Sequence, residues 1–221
     1  MDGYRERRVA PGVVLWSSAG APGTILPDGC LDLIWNGRGL VVAGPDGAAR
    51  STDGGGRVHV GLRFSHGRGP TLLGVRADEL RDTTVGLEAV WTDADAGRLV
   101  ERVSDDPAGV LTGLATATPP GADERFGVRV FAALARGADV AGLADDLGTT
   151  PRTLHRRSLP VFGYGPQHLG RILRLQRALA RAREGTPWAD VAAVEGFADQ
   201  PHLAREVRAL AGTTPTGLLA R

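Results

Sequence analysis

The sequence predicts an α+β protein of 221 residues. An N-terminal small β-barrel or sandwich with short helices precedes an all-α domain of two helix-turn-helix units joined by a long helix. Three observations carry this expectation. Up to about residue 92, short β-type runs alternate with Gly- and Pro-bearing turns. From about residue 123 the apolar spacing changes to the three-and-four rhythm of amphipathic helices. One helical unit closes with Gly-Tyr-Gly-Pro at Gly163–Pro166, and a second closes with Gly-Thr-Thr-Pro at Gly212–Pro215.

In the first part, Val13–Trp16, Leu31–Trp35, Leu40–Ala43 and Val58–Phe64 are the expected strands. Asp78–Arg81 and Leu87–Trp91 read as short helical turns. Asp53–Gly56 reads as a hairpin tip, because a phosphate cradle needs a following helix and none follows. Trp16, Trp35, Phe64 and Trp91 either line an apolar pocket or simply make core. Strand alternation points Arg63 away from Leu62 and Phe64, so it is either a surface residue or the polar anchor of such a pocket. His59 and His66 stand seven apart without a supporting Cys, so no metal site is expected. Cys30, between Asp28 and Asp32, has no cationic neighbour in sequence to activate it. It is either a small buried residue or a thiol sensor.

Residues 93–122 form a helical segment and linker. Thr92 or Asp93 caps a helix whose Ala96, Leu99, Val100 and Val103 share a face, and Ala108–Leu114 is a second short helix. These helices either form a dimer interface or pack back on the barrel. The small-residue and proline content of Ala115–Asp123 marks the linker.

Residues 123–221 begin with a helix placed by Val128, Phe131, Ala132 and Leu134. The next has Ala141, Leu143, Ala144 and Leu147 on one stripe and stops at Gly148. Thr150 caps, and Pro151 opens, a helix bearing Arg152, His155, Arg156 and Arg157 without a carboxylate. A long helix runs from Pro166 to about Arg183, with Leu169, Ile172, Leu173, Leu175 and Leu179 buried and Arg171, Arg174, Arg177, Arg181 and Arg183 on the basic side. Thr186 is the expected cap of the next helix, with Val191, Ala192 and Val194 inward. Asp199 caps the one after, which contains Leu203, Val207 and Leu210. The helix-turn-helix units lie at about 140–160 and 188–211, and the second helix of such a unit is the one that enters a DNA major groove.

Composition agrees. All 26 basic residues are Arg, and they are uneven: 12 against 15 acids in residues 1–122, and 14 against 10 in residues 123–221. The basic surface therefore falls at the end that carries the helical repeats. With 42% hydrophobic and 23% charged residues the chain reads as soluble and globular. No apolar run approaches the about 18–20 residues of a membrane span, and MDGYRERRVAPG lacks the core of a signal peptide. A single cysteine excludes an intrachain disulfide and suits a reducing cytoplasm. No Ser-His-Asp elbow, paired-Cys site or Gly-Lys-Ser/Thr loop is present, so neither an enzyme nor a cofactor is expected.

LADDLGTTPRTLHRR, GYGPQHLGRILRLQRAL and WADVAAVEGFADQPHLAREVRALAGTTP together resemble the DNA-binding domain of the AraC/XylS family of bacterial transcription regulators. LPDGCLDLIW, VGLRF and LGVRADELRD within Leu26–Trp91 resemble, more loosely, the domains that precede this unit. The resemblance implies a cupin-like sensory domain over residues 1–92, a dimerisation segment over 93–122 and an AraC-type DNA-binding domain over 123–221. It departs from the family where Ser158 takes the place of a core Phe and Val207 that of an aromatic residue. By analogy of position, Arg152, His155 and Arg156 reach base edges, with Thr150, Thr153 and Arg157 nearer the backbone. Gln200, Pro201 and Arg205 are the second set. The expected partners are double-stranded promoter DNA, a small-molecule effector near Trp16, Trp35, Arg63, Phe64 and Trp91, a second copy of the chain, and RNA polymerase if it activates. The alternatives are an effector-independent regulator whose barrel only assembles, and an enzyme or thiol sensor using Cys30.

Overall fold

The computed structural model describes residues 3–65, 67–117 and 121–219. Residues 118–120 of the expected linker, and His66, lie outside them. The first unit contains β1 (Arg5–Ala10), β2 (Val13–Ser18), β3 (Gly23–Ile25), β4 (Leu31–Trp35), β5 (Leu40–Ala43), β6 (Arg50–Thr52), β7 (His59–Phe64), α1 (Arg68–Leu73) and β8 (Thr84–Gly86). Two helices follow, α2 (Asp93–Asp105) and α3 (Pro107–Ala117).

Six strands make one antiparallel sheet in the order β1-β2-β7-β4-β5-β8, while β3 and β6 pair separately. The fold is α+β as expected, but among the described residues no barrel closes. A large sheet faces a two-stranded ribbon instead. The period-two side-chain rule gives the sheet two different faces. Leu15, Leu33, Leu40, Val42, Leu62 and Phe64 point to one side and pack with Leu99, Val103 and Leu111 of α2 and α3. Trp16, Asp32, Ile34, Val41 and Arg63 point to the other. The α2–α3 pair thus covers the sheet, the second of the two readings open for it.

Strands β1, β3, β6 and β8 escaped the sequence reading. RERRVA in β1 is an exposed edge, with no alternation for a pattern to show. The ribbon and β8 are three residues per strand, too short for a period.

The second unit contains α4 (Ala122–Ala135), α5 (Val140–Asp146), α6 (Pro151–Phe162), α7 (Pro166–Arg183), α8 (Trp188–Val194), α9 (Gln200–Ala211) and α10 (Pro215–Leu219). Leu143, Leu154, Leu169, Ile172, Leu179, Val191, Leu203 and Val207 belong to its single core. Two of the apolar residues that marked these helices, one of them expected inward, face outward. Val128 is 44% exposed and Val194 59% exposed. At about 100° per residue, Val128 stands opposite Phe126 and Val130, which face the core with Leu134. Thr186 is not the cap either: Pro187 holds that position before α8. Ser158 is wholly buried and donates its hydroxyl to the Leu154 carbonyl at 2.8 Å, while buried Phe162 fills the space beside it.

The two units are packed together. Arg68 and Glu124, both buried, pair at 2.9 Å between α1 and α4, and Arg68 also donates to the Ala115 carbonyl at 3.1 Å. Leaving one of two buried charges alone costs about 3–5 kcal/mol. Glu124→Ala is therefore expected to destabilise the protein by about that amount in urea unfolding followed by circular dichroism, and far more than the exposed Asp123→Ala.

Candidate DNA interface and ligand cavity

Each recognition helix is started by its own sequence. The Thr150 hydroxyl accepts the Thr153 amide at 3.2 Å, and the Asp199 carboxylate accepts that of His202 at 2.6 Å. Pro151 and Pro201 then sit where a missing N–H costs nothing. Thr150 and Asp199 are thus occupied with capping.

The exposed first turn and a half of α6 presents Arg152, His155 and Arg156, and neither arginine has an ion-pair partner among the described residues. His155 is exposed but its ring lies against Gly165, where a Cβ would stand 2.3 Å from Cδ2. Arg157 is turned elsewhere, with its guanidinium 4.2 Å over the Phe126 ring, and so ties α6 to α4. On α9, Gln200, Pro201 and Arg205 are exposed together.

The long helix α7 holds these two units. Four of its five basic-side arginines point at acids of the second unit. Arg177 and Arg181 both donate to the buried Glu195 after α8, Arg177 at 2.6 Å. Arg171 donates twice to Glu206 of α9, at 2.8 and 3.2 Å, and Arg174 approaches the same carboxylate. Burial pushes both carboxyls up, but the arginine hydrogen bonds and charges outweigh it and hold Glu195 and Glu206 below the usual glutamate range. Sequence alone showed a basic stripe. In the fold most of that stripe is paired internally.

The N-terminal unit seats against the far ends of the recognition helices. Gly163 ends α6 at φ 82°, and a Cβ there would meet Pro45 Cγ at 2.4 Å. The Ala49 amide donates to the Leu210 carbonyl of α9 at 2.7 Å, and His168 of α7 bonds the Gly47 carbonyl at 2.9 Å. One loop, residues 44–50, therefore touches α6, α7 and α9 at once and leaves their exposed first turns open.

The same loop borders a cavity of about 820 Å³ between the open face of the sheet and the β3–β6 ribbon. Trp16 and Arg63 line it; Trp35, Phe64 and Trp91 do not. Trp35 shares the parity of Leu31 and Leu33, so it falls on the helix-covered face with Phe64. Trp91 packs at that side too, donating to the Leu73 carbonyl at 2.9 Å. Sequence reasoning missed Tyr4, Asp28, Asp32, Asp46 and Arg50, and also Gln176 and Arg183 of α7. Parity from Arg63 through the β4–β7 register would have found Asp32, which lies directly opposite it.

The cavity floor is built closely. Trp16 lies over Gly61, where any side chain would strike the indole at 2.6 Å. Its ring N–H donates to Asp32 at 2.6 Å. Arg63 Nε stands 3.4 Å from both Asp28 and Asp32, without hydrogen-bond alignment to either. Burial drives the Asp32 carboxyl up to about 6 against the opposing pull of Arg63, and the Asp28 charge adds to the rise. Cys30 is on the cavity wall, and burial with the Asp28 charge pushes its thiol well up, which disfavours the reactive thiolate a sensor needs.

A family profile described as a helix-turn-helix domain matches residues 143–221. An 83-residue stretch is 40% identical to the probable bifunctional transcriptional activator/DNA repair enzyme AlkA of Mycobacterium tuberculosis, in two strains. That match covers 37% of this chain and only 17% of the relative. Among solved structures, an apo ToxT variant from Vibrio cholerae aligns over 97% of this chain and 99% of its own, at 12% identity and a TM-score of 0.50. A second ToxT crystal form aligns over 99% and 98%, at 11% identity and a TM-score of 0.48. The first of these is a likeness of fold.

The raised Asp32 carboxyl has a consequence for stability. The folded state binds a proton that the unfolded state has lost between the ordinary Asp value of 3.8 and about 6. Stability from this group is therefore present at low pH and falls as pH rises through about 6. Asp32→Asn is expected to flatten the decline of the thermal midpoint between about pH 4 and about pH 7, a difference of about 2–3 kcal/mol at most. Calorimetric scans of both proteins across that range measure it.

Proposed function

From a C-terminal region that is an AraC-type helix-turn-helix domain, we propose that this protein is a sequence-specific DNA-binding transcription regulator controlled by a small molecule in the N-terminal cavity. One observation carries the DNA reading. Two capped recognition helices, each with an exposed first turn, are held on one long helix, α6 through the core that Leu154 shares with Leu169 and Ile172, and α9 through that core and the Arg171–Glu206 pair. Helices so held meet successive major grooves about one helical turn, ~34 Å, apart. Arg152 and Arg156 suit guanine edges, and Gln200 suits adenine. The Thr153 side chain and the first-turn amides that the caps leave free suit phosphate contacts.

Control by a ligand rests on the shared walls. Loop 44–50 lines the cavity through Gly44, Asp46 and Arg50 and touches the ends of both recognition helices. Gln176 and Arg183 of α7 line it from the other side, and Gln176 donates to the Pro27 carbonyl at 2.6 Å. A ligand that prefers one position of these walls shifts the recognition helices by its differential affinity. A reading in which the unit only assembles draws on a separate outer groove, where half-buried Val90, Trp91 and Leu114 offer a face to a second copy.

Footprinting on the gene's own upstream DNA, with and without a low-mass cell extract, tests both parts. A protected site altered by the extract is expected. In gel shifts on that site, Arg156→Ala is expected to cost about 1–3 kcal/mol, whereas Arg157→Ala acts mainly on stability. Unchanged affinity for Arg156→Ala would overturn the base-contact assignment.

A further inference from the structure

We propose that the cavity takes an organic cation, a molecule with an ammonium or amidinium group on an apolar or aromatic body. This names the ligand class for the effector reading above and rests on it.

Charge is unbalanced on the floor of this half-open cavity. Asp28 and Asp32 flank a single guanidinium, that of Arg63, which stands 3.4 Å from each. Arg63 also turns a terminal nitrogen toward the Tyr4 hydroxyl at 3.4 Å. Two carboxylates thus share one cation. Elsewhere in the wall Asp46 is already matched by Arg50, whose Nε reaches both its oxygens at 2.9 and 3.0 Å. The ionised floor therefore keeps one uncompensated negative charge. Arg183 is the further cation of the lining, and it is exposed at the α7 end, where solvent screens it. His59 and Cys30 complete the titratable groups facing the space with Tyr4.

The aromatic pair points the same way. Tyr4 stacks on Trp16 with centroids 6.2 Å apart and planes 24° from parallel. The Trp16 N–H is already engaged by Asp32. With the indole buried between Gly61 and Tyr4, the ring surface left for a ligand is that of the exposed Tyr4, which attracts cations and repels anions. Ile25, Leu26, Ile34 and Val41 supply apolar wall for the rest of the molecule. At about 820 Å³ the space is of the size that encloses a small organic ligand. A carboxylate ligand seeking Arg63 would stand beside two carboxylates and be repelled by both.

The ligand also changes a proton balance. A cation beside Asp32 favours its ionised form, so binding below about pH 6 releases a proton and affinity rises as pH rises through that value.

The test uses the full chain and four probes that share a phenyl body: benzyltrimethylammonium, phenethylamine, phenylacetate and phenethyl alcohol. Calorimetric titration and thermal shift are expected to show binding of the two cations and none of phenylacetate. Asp32→Asn keeps an oxygen for the Trp16 N–H and is expected to weaken cation binding about tenfold. It should also abolish the rise in affinity from about pH 5 to about pH 7. Asp28→Asn, which leaves Trp16 untouched, is expected to weaken it as well, so loss of fold in one variant does not decide the matter. Phenylacetate binding as well as the cations, cation affinity unchanged in both variants, or no binding by either cation each overturns the proposal. If the cell extract still alters the footprint in those cases, the ligand class falls and effector control stands. If the extract leaves the footprint unaltered, effector control falls separately.

Discussion

The geometry of this protein depends on two carboxylates held by one helix. Glu195 and Glu206 each receive two arginines from α7. Exposed ion pairs contribute little, but Glu195 is 3% exposed at its side chain and its two partners converge on it from successive turns. Pairs of this kind fix direction as well as distance, because a guanidinium bonds in its own plane. The apolar side of α7 meanwhile belongs to the core with Leu154 and Leu203, one from each recognition helix. The spacing of the exposed faces of α6 and α9 is therefore a property of α7, set by packing on one side and, toward the second helix-turn-helix, by paired charge on the other.

The N-terminal sheet divides its labour by parity. One face is closed by α2 and α3, and its buried positions are apolar. The other carries Trp16, Asp32 and Arg63 into the cavity. A buried carboxyl displaced upward to about 6 is costly to a fold. Such costs collect at functional sites more often than at structural ones. Here the costly group faces a half-open cavity with an aromatic wall, and the apolar opposite face carries the stability.

Between the two units the contact is specific and small in sequence. Gly44, Pro45, Gly47 and Ala49 lie within one turn of chain, pinned from behind by Asp82, which accepts the Gly47 amide at 2.6 Å. Gly163 must be glycine both for its φ of 82° and for the approach of Pro45. Buried Arg68 and Glu124 close the other side of the seam. A displacement at the cavity wall thus meets recognition helices through backbone and close contacts rather than through long, compliant side chains.

Much of this was legible in residues. The helical repeat, its caps at Thr150 and Asp199, the limits of α7 and four of the eight strands follow from local rules of periodicity, capping and turn chemistry, which need no partner to operate. The exposed side chains of α6 and α9 were legible for the same reason: an exposed face is defined by its own helix. The cavity was legible only in Trp16 and Arg63. Its other groups come from Tyr4 ahead of β1, the loop residues Asp28 and Asp46, Asp32 of β4, the three-residue β6 and a helix of the other unit, and no local pattern joins them. Tertiary structure alone decided that Trp35, Phe64 and Trp91 are core, that Arg157 stacks on Phe126, and that the arginines of α7 pair inward. Each of these turns on which surface a side chain meets across the fold, a relation between distant residues that spacing along the chain does not encode.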